Sequence, residues 1–136
     1  MIRVATPDDE DALVRLQSLL PEPSPTLLES ALATEAPAPA TALVSTADGA
    51  VVGYLLAVPG DDTAYVAELV VAPAHRREGR ARALLERCGE RADTLTVTVA
   101  PDNEAAQSLY RSCGFERVQR LPDFFEEGAA IQYRRR

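Results

Sequence analysis

What most constrains the fold of this chain is the order in which two hydrophobic patterns alternate along it. Short apolar runs bounded by turn residues read as strands, and leucines three or four apart read as helices. IRVA (2–5) is a short strand. TPDDEDALVRLQSLL (6–20) is a helix. Thr6 caps it, Pro7 suits the first helical position, and Asp8 and Asp9 suit the positive end of the dipole. Leu13, Leu16 and Leu20 supply its apolar spacing. PEPSP (21–25) ends this helix, and Ser24 with Pro25 starts a shorter one through Leu27, Leu28, Ala31 and Leu32. APAPA (36–40) breaks the chain into a loop. Three strands follow at 41–45, 51–58 and 63–71, the first two joined by Asp48-Gly49, a hairpin signal. Pro73 ends the third strand. A helix then runs from about Gly79 to Arg91, and LTVTV (95–99) is an alternating strand. The next helix, from about Asn103 to Cys113, stops at Gly114, a good left-handed terminator. FERVQ (115–119) and AAIQY (129–133) are the last strands. The order β-α-α-β-β-β-α-β-α-β-β predicts one mixed α/β domain over residues 1–136, with no repeat and no linker.

Composition excludes several function classes. The 136 residues suffice for a core without disulfides or metals. No run approaches the length of a membrane span, and MIRVATPDDEDAL has no apolar signal core, so a soluble, cytoplasmic protein is expected. Cys88 and Cys113 form no CxxC pair, and with one histidine they make a poor metal site; free thiols and no metal are expected. The net charge of −7 argues against nucleic-acid binding.

That charge is unevenly placed. The chain has 14 arginines and no lysine, and residues 75–91 hold six of them (76, 77, 80, 82, 87, 91) against three glutamates (78, 86, 90). This positive island lies where a strand turns into a helix. Helix N-termini offer unpaired N–H groups and partial positive charge, glycine permits close approach, and arginine adds bidentate donors. The turn therefore reads as a phosphate or pyrophosphate site. The alternative is a solvated helix face on which the arginines pair with Glu78, Glu86 and Glu90. The turn fits neither the P-loop, which needs a lysine, nor the dinucleotide fingerprint GxGxxG.

LVVAPAHRREGRARALLE (69–86) resembles the cofactor motif of the GNAT family of N-acetyltransferases: Arg76, two residues, Gly79, one residue, Ala81. NEAAQSLYRSCGF (103–115) is similar to the second signature of that family, an Asn followed seven residues later by Tyr and then by Gly-Phe. IRVATPDDEDAL (2–13) resembles its opening strand and helix, so the likeness covers the chain in order. The resemblance implies a central mixed, twisted sheet flanked by helices, and acetyl-CoA as co-substrate. It implies that the loop amides at Arg76, Arg77, Gly79 and Ala81 cradle the pyrophosphate of coenzyme A, with charge added by Arg76 and Arg82. Leu69, Val70 and Val71, at the splayed end of their strand, would pair with the pantetheine arm, and an N–H near Val71 would hold the oxyanion. Asn103 would cap its helix and touch the cofactor. Arg80, where the family is usually apolar, faces either solvent or the adenosine phosphates.

The implied reaction is attack of a primary amine on the acetyl thioester. It needs an amine base, an oxyanion donor and an acid for the thiolate. Tyr110 is the candidate acid, because a phenol with a pKa of about 10 stays protonated at neutral pH. The other reading of Tyr110 is a core aromatic beside Leu109. Glu68 is the candidate base, through a water, or else an ordinary solvent-facing strand residue. Thr98 stands where one branch of the family carries a Glu, and it cannot act as a base. His75 precedes the phosphate loop and faces solvent. LPDFFEEGAAIQYRR (121–135) resembles a segment of ribosomal-protein alanine N-acetyltransferases, with Phe124 and Phe125 in place of tyrosines and Ala130 in place of an acid. The acceptor is then a peptide N-terminal α-amine or a small-molecule amine. The chain would act as monomer or homodimer, without nucleic acid or membrane. A non-catalytic acyl-CoA-binding module of the same fold is the alternative.

Overall fold

The computed structural model describes residues 1–20, 23–33, 40–90, 92–125 and 128–136. Its strands are β1 (Ile2–Val4), β2 (Thr41–Ala47), β3 (Ala50–Pro59), β4 (Thr63–Val71), β5 (Thr94–Val99), β6 (Glu116–Phe125) and β7 (Gly128–Arg135). Its α-helices are α1 (Glu10–Gln17), α2 (Pro25–Leu32), α3 (Arg80–Gly89) and α4 (Glu104–Ser112). The strands form one sheet in the order β1-β2-β3-β4-β5-β7-β6. Among the described residues only β4 and β5 run parallel, and the other five pairings are antiparallel. The mixed, helix-flanked sheet expected of the chain is therefore present.

Each face of the sheet buries its own core. On one side Leu13 and Leu16 of α1, with Leu28 and Leu32 of α2, pack on Val44, Tyr54, Leu56 and Val70. On the other, Leu84 and Leu85 of α3 and Tyr110 of α4 pack on Leu55, Val66, Val97 and Tyr133. β5 shows the period behind this: Leu95, Val97 and Val99 are buried and the threonines between them are half-buried.

Several boundaries differ from the expected ones for local reasons. The first helical segment opens as a 3-10 turn, Pro7–Asp9, because Asp9 reaches back to the Thr6 N–H at 2.8 Å and also takes two hydrogen bonds from Arg3. α3 starts at Arg80 rather than Gly79, since Gly79 takes φ +79 as the residue before the helix. The hairpin at Asp48-Gly49 has φ +50 and +84, as a two-residue turn of the mirror-image type requires. β6 continues six residues past the expected end, through a register shift between Leu121 and Phe125. Most of the expected loop 36–40 and part of PEPSP lie outside the described residues, as does Arg91.

The pairing of β4 positions the site. β3 follows β4 along its whole length, with a shift at which Leu56 faces Glu68 and Ala57 faces Val66. Ala67 is therefore the extra residue of a β-bulge, which bends and twists its strand. β5 follows β4 only from Thr63 to Val66, paired with Thr94 to Val97. Beyond the bulge the two parallel strands separate, and a wedge opens between Ala67–Val71 and the end of β5.

Candidate active site

The wedge lies between two clefts. The first, about 600 Å³, runs from Leu69 and Val71 past the loop 75–82 to Asn103 and Tyr110. The second, about 520 Å³, lies beside Glu68, Tyr65 and Thr98, under Pro23, Leu27 and Phe124. Leu69, Asn103, Ala106 and Tyr110 line both, so the clefts meet at the start of α4.

Strand alternation aims the β4 backbone. The N–H of Ala72 donates to the Val52 carbonyl at 2.8 Å, so Ala72 turns toward β3, and by antiparallel alternation Val70 and Glu68 do too. Leu69 and Val71 then turn their amides away from β3, into the wedge. Gly53 makes this approach of β3 possible: a Cβ there would stand 2.9 Å from the Val70 carbonyl oxygen.

The arginine loop leaves open space beside its backbone. Arg77 takes φ +65 and Gly79 φ +79, two left-handed residues with Glu78 between them. No atom beyond the neighbouring residues lies within 4 Å of a Cβ built on Gly79, so the groove there is open. The loop is tied back to β4 by Arg76, whose Nε donates to the Val71 carbonyl at 3.0 Å. The arginines do not act as one cluster. Arg80 is held by Glu78 at 2.9 Å, the Ser45 hydroxyl at 3.1 Å and the Thr46 carbonyl at 3.2 Å. These contacts make it a clamp between the loop and β2, and the residue also lines the first cleft. Arg82 donates to the carbonyl and hydroxyl of Ser112, which joins α3 to α4. Arg77 is exposed and, among the described residues, has no ion-pair partner. His75 lines the first cleft and sits 3.5 Å from Glu78.

Asn103 caps α4, accepting from the Ala106 N–H at 3.1 Å. Seven residues on, Tyr110 is 6% exposed, with its ring 5.5 Å from Phe115 and 6.3 Å from Tyr133. Burial pushes its phenol above the ordinary value, helped by the neighbouring Tyr65 and Cys113. Among the described residues nothing hydrogen-bonds its hydroxyl, and since none of their buried side-chain polar atoms lacks a partner, that oxygen is not itself buried but opens onto the clefts. Tyr110 is thus both a core aromatic and a group at the meeting of the clefts.

Glu68 is neither exposed nor idle. It is 4% exposed and accepts from Tyr54 Oη at 2.8 Å, the Ser24 N–H at 2.6 Å and Gln17 Nε2 at 3.1 and 3.3 Å. A carboxylate offers about four lone-pair sites. Protein donors already take most of them. The same knot ties α1 and the start of α2 to β3 and β4. Burial, then the Glu68 charge, raises the Tyr54 phenol well above its usual value, so Tyr54 stays the donor. Thr98 pairs with Tyr65, hydroxyl to hydroxyl, at 2.7 Å. That pair escaped sequence reading, because β4 and β5 are joined only through the fold.

The chain matches the acetyltransferase (GNAT) family over residues 10–115, and it belongs to that family. A mycothiol acetyltransferase of Saccharomonospora viridis is 44% identical over 72 residues, which are 52% of this chain and 24% of that enzyme. The chain spans less than a third of the length of the curated relatives it matches. In fold it is similar to the ribosomal-protein-S18-alanine N-acetyltransferase of Escherichia coli, with TM-score 0.83 and 22% identity over 99% of this chain and 92% of that one. It is also similar to a GNAT family acetyltransferase of Elizabethkingia anophelis solved with acetyl-CoA bound, with TM-score 0.78 and 18% identity over 99% and 96% of the two chains. No helix among the described residues is long and apolar enough to cross a membrane.

Proposed function

We propose that the chain transfers the acetyl group of acetyl-CoA to a primary amine by direct attack. The observation that carries this reading is the Tyr110 hydroxyl, which is without a protein partner among the described residues and stands where the two clefts meet. Coenzyme A occupies the first cleft. Its pyrophosphate lies on the amides of Arg76, Arg77, Gly79 and Ala81, where the open space over Gly79 and the free charge of Arg77 suit a phosphate. The pantetheine arm lies along Leu69, Val70 and Val71, which also fits the backbone turned into the wedge. Asn103 and Arg82 line the cleft at α4 and α3, and Arg80 contributes its backbone, its guanidinium being held by Glu78, Ser45 and Thr46.

The amine enters through the second cleft. Its nitrogen forms a bond to the thioester carbon, the carbonyl oxygen takes the developing charge beside the Val71 N–H, and the C–S bond breaks. Tyr110 gives its proton to the departing thiolate, and the phenolate is restored by the proton that the nitrogen loses on becoming an amide, passed through water. Burial keeps that proton on the phenol until the thiolate forms. Glu68 contributes negative charge beside the amine, which draws the ammonium form in. It takes the amine proton through water only by giving up one of its protein donors. An amine of low basicity, an α-amine of pKa about 8, reaches its neutral form with little help. The test is release of free CoA thiol from acetyl-CoA on adding amines, with the acetylated product identified by mass. Release that depends on the amine supports the reading. Acetyl-CoA that binds but is never consumed by any amine overturns it in favour of a binding module.

A further inference from the structure

We propose that the acceptor is a primary amine on an uncharged, largely apolar body, with no carboxylate beside the amine. This rests on the acetyl-transfer reading above. The argument is charge complementarity between the two clefts. The first is lined by Arg76, Arg77, Arg80 and Arg82. The second has no cation among its described lining residues, and its one ionised group is the Glu68 carboxylate. That charge is already enclosed by Gln17, Ser24 and Tyr54. The walls are apolar, supplied by Leu20, Leu27, Leu69, Val97, Val99 and Phe124. The remaining polar groups include the neutral Tyr65–Thr98 hydroxyl pair.

A carboxylate carried into this cleft would leave water without a positive partner and would face Glu68. An alkyl group loses nothing there, and a neutral amide can exchange hydrogen bonds with the two hydroxyls. The ammonium form of the amine meets Glu68, the one charged side chain among the described lining residues, with opposite sign. Free α-amino acids are therefore rejected, and the same amines without the carboxylate are accepted. That chemistry arrives either as a small monoamine or as a peptide N-terminus, whose carboxyl is tied up in an amide bond.

The experiment compares kcat/KM for leucine, 3-methylbutylamine and leucyl-alaninamide at one pH, by thiol release. 3-Methylbutylamine is leucine without its carboxylate and has the more basic amine, so its smaller neutral fraction works against the expected result. The expected order places leucine below both others by roughly a hundredfold or more. The ratio of the two neutral acceptors tells small amine from peptide. Pro23, exposed on the rim, offers a second test. Pro23→Arg supplies the missing cation and should raise the ratio of kcat/KM for leucine to that for 3-methylbutylamine at least tenfold. Leucine used as well as 3-methylbutylamine by the unaltered chain overturns the proposal and leaves the acetyl transfer standing. Acetyl-CoA untouched by all three acceptors and by a wider amine panel overturns the acetyl-transfer reading instead, and this proposal with it.

Discussion

Replacing Tyr110 by phenylalanine removes one oxygen and keeps the ring. The ring packs between Phe115 at 5.5 Å and Tyr133 at 6.3 Å, and the substituted phenyl group would keep both contacts. Among the described residues the hydroxyl has no hydrogen-bond partner, so the change breaks no protein hydrogen bond. Stability should move by less than about 0.5 kcal/mol, which is within about 2 °C in Tm for a chain of this size. The catalytic cost is of another order. A positioned general acid contributes about 10²–10⁴ in rate, or roughly 3–5 kcal/mol of barrier. In thiol-release assays kcat should fall at least a hundredfold for Tyr110→Phe, with the dissociation constant for CoA unchanged within a factor of about two. The two readouts separate the readings of this residue. Activity within threefold of the unaltered chain would refute the acid assignment. A Tm lowered by many degrees would show that the hydroxyl holds the core together and that the lost rate reports misfolding.

Three further outcomes follow from single contacts. Arg3 holds the Asp9 carboxyl down to about 2 through paired hydrogen bonds, with the Thr6 N–H helping. A depressed carboxyl contributes stability that is full above its unfolded value of about 3.9 and is lost as pH falls toward 2, a contribution of about 2 kcal/mol. Thermal unfolding from pH 6 to 2 should show Asp9→Asn well below the unaltered chain at pH 6 and converging with it near pH 2; parallel curves would refute the pairing. Gly79→Ala forces a side chain onto φ +79 with no clash, so it should cost about 1 kcal/mol in denaturant titration while weakening CoA binding further. Gly53→Ala puts a methyl 2.9 Å from the Val70 carbonyl and must push β4 away, so it should lower both Tm and CoA affinity, whereas an unaffected affinity would show that β4 does not bind the cofactor.

Where local chemistry decides, the fold was legible in the sequence. Asp48-Gly49 marks its hairpin, Gly114 takes φ +89 after α4, and Asn103 caps that helix because its side chain reaches the Ala106 N–H three residues on. The wedge was not legible from the residues alone. TAYVAELVV reads as one even strand, and nothing in its period announces the extra residue at Ala67, because bulges depend on what the partner strand does. The fate of Glu68 was hidden for the same reason. Its donors come from positions 17, 24 and 54, and only the fold brings them to one carboxylate. Arg80 is a sharper case. Its charge and place beside Gly79 suggested a ligand, but Ser45 and Thr46, 35 and 34 residues earlier, claim its guanidinium. Motif spacing thus located the loop and Tyr110, and long-range contacts decided which side chains remain free to act.

The central claim is that the cleft from Leu69 to Arg82 and Tyr110 holds acetyl-CoA. Thermal unfolding with and without acetyl-CoA, with ATP and NAD as controls, tests it most directly. A ligand at a hundred times its dissociation constant, bound only to the folded state, adds about 2.7 kcal/mol, a rise of several degrees. The account predicts that rise with acetyl-CoA and none of similar size with ATP or NAD. An unchanged Tm at millimolar acetyl-CoA would contradict it, leaving the fold of the family without its cofactor.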